Sequence, residues 1–452
     1  MRRVLVMTYF FPPGGGVGVQ RTLKFVEHLP ALGWEPVVLA PRWAPYRVMD
    51  PGLLDALDPE LEVHRVVCLE PAGVRAAARV IARRLRPGRG SGASAVGVPE
   101  AREASPRGTI RRWLNAAWAA WVRAMFIPDE QMGWIPVAAR SAAALHARRP
   151  VDVIYSSSPP PSTHLAAGLA KTLTGRPWVA DFRDPWVDNA FAAPRSRARR
   201  RLEGWLESWV IRHADRVIFA TPGLRARYAD RYPVRAPRFV TITNGYDRAE
   251  IGQPVPPRPR GDGTFHLVYA GSVYGTRELR IFLDGLEKAI ERRPDLRTRL
   301  RVEFVGWMTP ENQHLATSRL ERLGPVLTVE GFVPREEAQA RIRGADASLL
   351  LLADGPDRDL FVGAKLFESI GLDRQVLAMA PPGDVRTILA GLDWGVVADP
   401  HPASVADALM TIVDAAPPNR SADPDGIYDR RGLTQALGDV LADVVGAAPS
   451  SR

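Results

Sequence analysis

Short, continuously apolar runs of strand length recur along this chain, and segments of helical length separate most of them. In the first half the runs are Val4–Phe11, Pro36–Leu39, Val151–Tyr155, Trp178–Phe182, Arg216–Ala220 and Phe239–Thr243. Stretches such as Arg21–Leu32 and Thr163–Leu173 lie between them, with apolar residues at helical spacing. A strand that is apolar on both faces must be covered on both, so the alternation predicts parallel sheets flanked by helices. The pattern restarts at Phe265–Ala270 and continues through Arg301–Val305, Leu327–Glu330, Ala347–Leu352, Gln375–Ala380 and Gly395–Ala398. Two Rossmann-like, doubly wound α/β domains facing across a cleft are expected. The stretch IGQPVPPRPRGDG between the halves is rich in Pro and Gly and has no periodicity, which is a linker composition. The expected division is a first domain over 1–250, a linker over 251–264 and a second domain over 265–427. Residues 86–107, rich in Gly, Ser, Ala and Arg, read as a mobile loop within the first domain.

Composition narrows the partners. Cys68 is the only cysteine in 452 residues, which excludes an intrachain disulfide and a cysteine metal cluster and fits a reducing compartment. Pro12-Pro13 and three glycines cut short the first apolar run, so it does not read as a secretory signal. No apolar window reaches the length of a membrane span. A cytoplasmic protein is expected, with peripheral contact at the inner face of the cell membrane as an added reading. A net charge of +10 calls for an anionic partner: nucleic acid, anionic lipid or an anionic small molecule. Zinc-finger spacing, an RNA-binding aromatic signature and internal repeats are all missing, so nucleic acid is not expected. In RRWLNAAWAAWVRAMF, 111–126, Trp113, Trp118, Trp121 and Phe126 recur at near-helical spacing between arginines. That stripe reads as core or as an interfacial helix on an anionic membrane.

Functional residues of such sheets are sought just after strands. The first candidate is GGGVG at 14–18, where glycines and a helix amino terminus can meet a phosphate. Its spacing is not the dinucleotide fingerprint, and no Gly-Lys-Ser/Thr follows, so nicotinamide and ATP readings drop. In SSSPPPSTH, 156–164, His164 reads first as a packing residue at a helix start. In VADFRDPW, 179–186, Asp181, Arg183 and Asp184 cluster beyond an apolar strand. Such charges are either ligand-facing or internally paired. A second glycine turn, AGSVYGTRE at 270–278, brings Gly271, Ser272 and Arg277, whose guanidinium fork suits phosphate oxygens. In DLFVGAKLFESIGLDRQVLA, Lys365 and Glu368 stand three apart on a predicted helix and share a face near its start. They could hold a diphosphate and ribose hydroxyls, or form an ordinary surface ion pair. The acidic pair in DRD, 357–359, reads as solvated loop and no metal site is assigned.

Together these stretches resemble the GT-B glycosyltransferases, and within them family four, which is retaining and uses nucleotide sugars. The matching stretches are FFPPGGGVGVQR, IPDEQMGWIPVA, SSSPPPSTHLAAGLAKTLTGRPWVADFRDPW, TITNGYD, LVYAGSVY, LTVEGFVPREEA, AKLFESIGLDRQVLA and YDRRGLTQAL. The resemblance implies a nucleoside diphosphate sugar as co-substrate, without a cofactor or metal, and a hydroxyl acceptor. It implies donor contacts from Gly15, Gly16, Gly18, Gly271, Ser272, Arg277, Val362, Gly363, Lys365, Leu366 and Glu368. Asp181, His164 and Asn244 would lie on the acceptor side, with Arg183, Asp184, Arg277 and Lys365 as the catalytic set. It also implies a final helix, 428–446, that crosses back to the first domain. Two departures stand out: Leu360 occupies the place of a first glutamate eight before Glu368, and Arg183 stands where a histidine is frequent. The expected activity is sugar transfer in polysaccharide, glycolipid or cell-surface glycan synthesis. Alternatives are a transferase for small metabolites, a sugar epimerase or phosphorylase, and a nucleotide-sugar-binding protein without turnover.

Overall fold

The computed structural model describes residues 1–42, 46, 49–55, 57–68, 125–189, 195–251, 263–273, 275–355, 358–416 and 420–447. Residues 86–107 lie outside that set, as do nearly all of 111–126 and of the linker 251–264.

Thirteen strands among the described residues form two parallel sheets. The first contains β1 (Arg2–Thr8), β2 (Trp34–Pro41), β3 (Glu62–Val66), β4 (Val153–Ser158), β5 (Trp178–Phe182), β6 (Arg216–Phe219) and β7 (Phe239–Thr241). Their spatial order is β3-β2-β1-β4-β5-β6-β7. The second contains β8 (Phe265–Ala270), β9 (Leu300–Val305), β10 (Leu327–Glu330), β11 (Ala347–Leu351), β12 (Gln375–Met379) and β13 (Val396–Ala398), in the order β10-β9-β8-β11-β12-β13. Each sheet grows outward from its first strand in one direction and then in the other, which is the doubly wound topology. Leu5 of β1 lies opposite Val37 of β2 and Ile154 of β4; Leu267 of β8 lies opposite Val302 of β9 and Ala347 of β11.

The helices of the first part are α1 (Val17–His28), α2 (Ile135–Arg148), α3 (Ser162–Thr174), α4 (Arg197–His213) and α5 (Pro222–Arg231). Those that follow are α6 (Thr276–Arg292), α7 (Pro310–Leu323), α8 (Arg335–Gly344), α9 (Ala364–Gly371), α10 (Asp384–Leu392), α11 (Pro402–Asp414) and α12 (Arg430–Ala447). The chain forms two compact units, one of 1–187, 193–217 and 441–452, the other of 188–192 and 218–440.

Burial explains the sheets. β4 and β5 are buried along their whole length, as only a doubly covered strand can be. In the second unit successive residues of β8 feed different cores. Leu267 and Tyr269 join Phe282, Leu286, Phe304 and Leu409, whereas Val268 joins Phe367, Ile370 and Val376.

Three details differ from the apolar runs. β1 ends at Thr8 rather than Phe11, because the Thr8 hydroxyl donates to the Phe10 carbonyl and the chain turns before two prolines. β4 runs on through three serines to Ser158; Ser156 is accommodated in the core by a hydrogen bond from Trp178 Nε1, 2.8 Å. β3, EVHRV, carries charges and is only partly buried, so its pairing beside β2 left no apolar run to read.

Candidate functional site

In the first unit the polar residues beyond the strands are bound to one another. Asp181, at the end of β5, is fully buried and takes two bonds from Arg21 of α1, Nε at 2.8 Å and Nη2 at 2.9 Å. Tyr155 donates its hydroxyl to the same carboxylate at 2.5 Å. The Arg21 plane also lies 5.0 Å from the Phe25 ring. Burial alone would lower the Arg21 pKa, but the Asp181 charge and hydrogen bonds hold it above its ordinary value. Burial, reinforced by Asp181, raises the Tyr155 phenol well above its ordinary value. Asp181 is therefore the centre of a closed ionic cluster, with both carboxylate oxygens bonded.

Arg183 is committed too. Nε donates to the Ser158 carbonyl at 2.8 Å, Nη2 to the Pro159 carbonyl at 3.1 Å, and Nη1 to the Gly18 carbonyl. It ties the glycine loop to the proline loop that leaves β4. Burial lowers its pKa, an effect that Asp184 and Asp181 oppose. Burial raises the Asp184 carboxyl toward its neutral form, against the pull of Arg183. In the glycine loop, Gly16 is the residue before α1 and has φ 86°, the left-handed region that a side chain would strain. Its helix start has neither a side-chain cap nor an acidic residue in the first turn. Gly15 and Gly18 are half-buried and Gly16 is exposed.

His164 sits in α3 with no exposed surface. Its Nδ1 meets Ser156 Oγ at 2.8 Å, its ring lies 4.5 Å from Phe182, and its buried Nε2 has no partner among the described residues. Burial pulls its pKa down to about 3, so it is neutral near pH 7. The start of α3 is held by Asp129, which accepts from the Ser162 amide at 2.9 Å and the Ser162 hydroxyl at 2.5 Å. That capping role accounts for an acidic residue in IPDEQ that the sequence reading did not assign.

The second unit is different. Lys365 is the second residue of α9, and its Nζ lies 3.9 Å from the centre of the Tyr269 ring. Among the described residues the ammonium makes no hydrogen bond or ion pair, so the i,i+3 bridge to Glu368 is not formed; the Lys365 carbonyl accepts from the Ser369 hydroxyl at 2.9 Å. Burial pulls its pKa down to about 8, with the Glu368 charge acting in the opposite sense. Gly271, with φ 131°, makes the room: a Cβ there would lie 2.3 Å from Lys365 Cε. No side chain caps α9 at Gly363. Arg277, in the first turn of α6, is exposed and spends Nη1 on the Asp354 carbonyl at 2.9 Å. A desolvated ammonium, an uncapped helix start and a glycine turn thus adjoin the carboxyl end of β8, a combination suited to an anion.

The remaining candidates fall on either side of this division. Ser272 is half-buried and its carbonyl accepts from the Tyr269 hydroxyl at 2.9 Å. Val362 and Leu366 turn their side chains into the second core, and the Leu366 amide donates to the Gly363 carbonyl at 3.2 Å. Glu368 is half-buried on α9. Asn244 is half-buried in the TNGY turn, where the Tyr246 amide donates to the Tyr428 carbonyl at 3.0 Å and the Arg430 amide to the Tyr246 carbonyl at 2.8 Å. TITNGYD and YDRRG therefore join each other through backbone. Asp359 of the DRD triplet pairs with Arg227 at 3.0 Å, and Asp357 lies outside the described residues. Arg21, Asp129 and Tyr269 were not singled out in the sequence; the signal available was an arginine set among apolar positions of α1 and an aromatic just before a glycine turn.

The architecture is shared with solved proteins. The chain matches the sucrose-phosphate synthase of Thermosynechococcus elongatus with a TM-score of 0.62 at 15% identity, over 99% of this chain and 100% of that one. HepE of Anabaena, solved with UDP and glucose, matches with a TM-score of 0.58 at 15% identity, over 98% and 100%. The α,α-trehalose 6-phosphate synthase of Burkholderia multivorans matches with a TM-score of 0.57 at 13% identity, over 100% and 99%. The fold is GT-B. Residues 94–250 match Glycosyltransferase Family 4. The family match covers part of the first sheet's half of the chain, and the structural matches extend the shared GT-B fold over nearly all of it. No curated protein matches it by sequence.

Proposed function

We propose that the chain is a retaining glycosyltransferase that moves a sugar from a UDP- or GDP-sugar to a hydroxyl acceptor, in polysaccharide, glycolipid or cell-surface glycan synthesis. The observation that carries this reading is Lys365: a half-buried cation over Tyr269, in space left by Gly271, with no anion hydrogen-bonded or ion-paired to it among the described residues. HepE, a protein of the same fold, was solved with UDP and glucose, which favours a nucleoside diphosphate as the missing anion.

In this reading Lys365 and Arg277 take the diphosphate, backbone N–H groups at the start of α9 complete its shell, and Glu368 accepts from ribose hydroxyls. The sugar C1–O bond to the diphosphate breaks while the acceptor oxygen bonds to C1 on the same face. The acceptor proton passes to the departing phosphate oxygen. Charge grows on that oxygen, and preorganised cations that stabilise it lower the barrier. Neutralisation by these two side chains makes a metal unnecessary in this scheme. Arg183 contributes by holding Gly18 and the proline loop in place, because each of its three nitrogens already donates to a carbonyl. Asp184 is the group of that cluster left to orient an acceptor hydroxyl.

A hydrolysis screen over UDP- and GDP-sugars without acceptor tests the proposal. One donor should be cleaved slowly, and Lys365→Ala should lower kcat by on the order of hundreds-fold, as loss of one preorganised charge stabiliser does. Tight donor binding with no hydrolysis, with or without added acceptor alcohols, would instead fit a binding protein, for which Leu360 in place of an acidic residue would be the natural reason. Near-normal turnover of Lys365→Ala would sink the assigned chemistry.

A further inference from the structure

Helix α4, RARRRLEGWLESWVIRH, is turned contrary to the usual rule for a surface helix. Its two carboxylates, Glu203 and Glu207, point inward and have no exposed surface. Glu203 takes Arg195 at 2.8 Å and Arg199 at 2.6 Å, and Glu207 accepts from the Val187 amide at 3.1 Å. The outward stripe follows helical spacing through Arg201, Leu202, Trp205, Trp209 and Arg212. Trp205 is 57% exposed and Leu202 43%. Beside it runs α3: a Cβ on Gly168 would come within 2.6 Å of the Trp209 ring, so the two helices lie in direct contact. α3 adds exposed Leu169 and Leu173 and no carboxylate. The face of the two helices therefore presents a tryptophan and three leucines bordered by Arg197, Arg201 and Arg212, with both acids of α4 withdrawn from it.

Each occupant makes a different demand on such a face. A second copy seated symmetrically would set these arginines against their own equivalents, at a cost in like-charge repulsion. Nucleic acid would use the arginines but leave the leucines unmatched. An anionic bilayer uses both, taking apolar side chains and tryptophan at the headgroup boundary and arginines at the phosphates. We propose that α4 and the exposed edge of α3 form a peripheral docking surface for an anionic membrane. This assigns the contact to described residues rather than to 111–126, and it stands independently of the donor chemistry.

The test is flotation of the full chain with phosphatidylcholine vesicles, with and without phosphatidylglycerol. The wild type floats only with the anionic vesicles and is released by salt. Leu202→Ser/Trp205→Ala and, separately, Arg201→Gln/Arg212→Gln each lose affinity; the arginine pair loses roughly fivefold per cation, on the order of the headgroup attraction of one arginine. All four positions are exposed, so melting temperature and nucleoside diphosphate binding should match the wild type, which keeps the result separate from any failure of the donor reading. Equal flotation of both variants and the wild type overturns the proposal. So does a wild type that ignores anionic vesicles, binds neutral ones equally well, or shows a dimer in sedimentation that Trp205→Ala abolishes.

Discussion

The Asp181 cluster and the Lys365 corner have the same origin and opposite fates. Each adjoins the carboxyl end of a parallel strand, β5 for the first and β8 for the second, and each lies in a motif of the same family resemblance. Around Asp181, though, every strong donor has an acceptor within the unit: Arg21 and Tyr155 meet the carboxylate, and Arg183 meets three carbonyls. At Lys365 the cation faces, among the described residues, an aromatic ring and the charge of Glu368. The lesson is that a charge beyond a strand identifies a ligand site only when its bonding capacity is still open. A closed cluster spends its charges on holding the chain in shape.

If that contrast is right, substitutions in the two places should fail in different measurements. The largest effect is expected for Asp181→Ala, which leaves Arg21 buried without its partner. Breaking such a pair costs about 3–5 kcal/mol. Chemical denaturation should report that loss, while the affinity of the folded fraction for UDP or GDP stays unchanged. An intact stability with weakened nucleotide binding would move Asp181 back to the ligand side and erase the contrast.

His164 gives a smaller and pH-dependent effect within the closed region. Its folded pKa is about 3, depressed by burial, whereas an exposed histidine titrates near 6.5. Below that value the unfolded chain takes up a proton that the folded chain refuses, so stability is full above pH 6.5 and declines as the pH falls toward 3. Between pH 7 and 4.5 this one residue should remove about 2–3 kcal/mol. His164→Phe should flatten that part of the stability profile. A variant with the wild-type slope would show that His164 is not the neutral core residue described here.

Much of the fold could be read from apolar runs alone, and the limits of β5, β8 and β10 coincide with theirs. For β5 the reason is physical, since a strand buried along its whole length reads as one short run, whereas β10 is an edge strand with Thr328 exposed and is found through Leu327 and Val329 alone. β3 escaped because Glu62, His64 and Arg65 leave only two apolar residues in it. The site was legible by position but not by role. Asp181 and Arg21 are 160 residues apart, and nothing local to either announces the other. The same holds for Gly271, Tyr269 and Lys365, which only the packing of α9 near the end of β8 brings together. Family resemblance selected both clusters, and geometry separated the one that is closed from the one that is open.

The central claim is that Lys365 is the open cation that receives a nucleoside diphosphate. With a free pKa of about 8, it is partly neutral in mildly alkaline solution, and a bound diphosphate would raise its pKa and draw in a proton. Calorimetry of UDP or GDP binding near pH 8.5, in two buffers of different ionisation enthalpy, measures that proton directly. The account predicts uptake of a substantial fraction of one proton, with affinity falling as the pH rises above about 8. Lys365→Arg, which stays charged, should bind without uptake, and Lys365→Ala should bind weakly and take up none. Wild-type affinity and wild-type proton uptake in Lys365→Ala would contradict it.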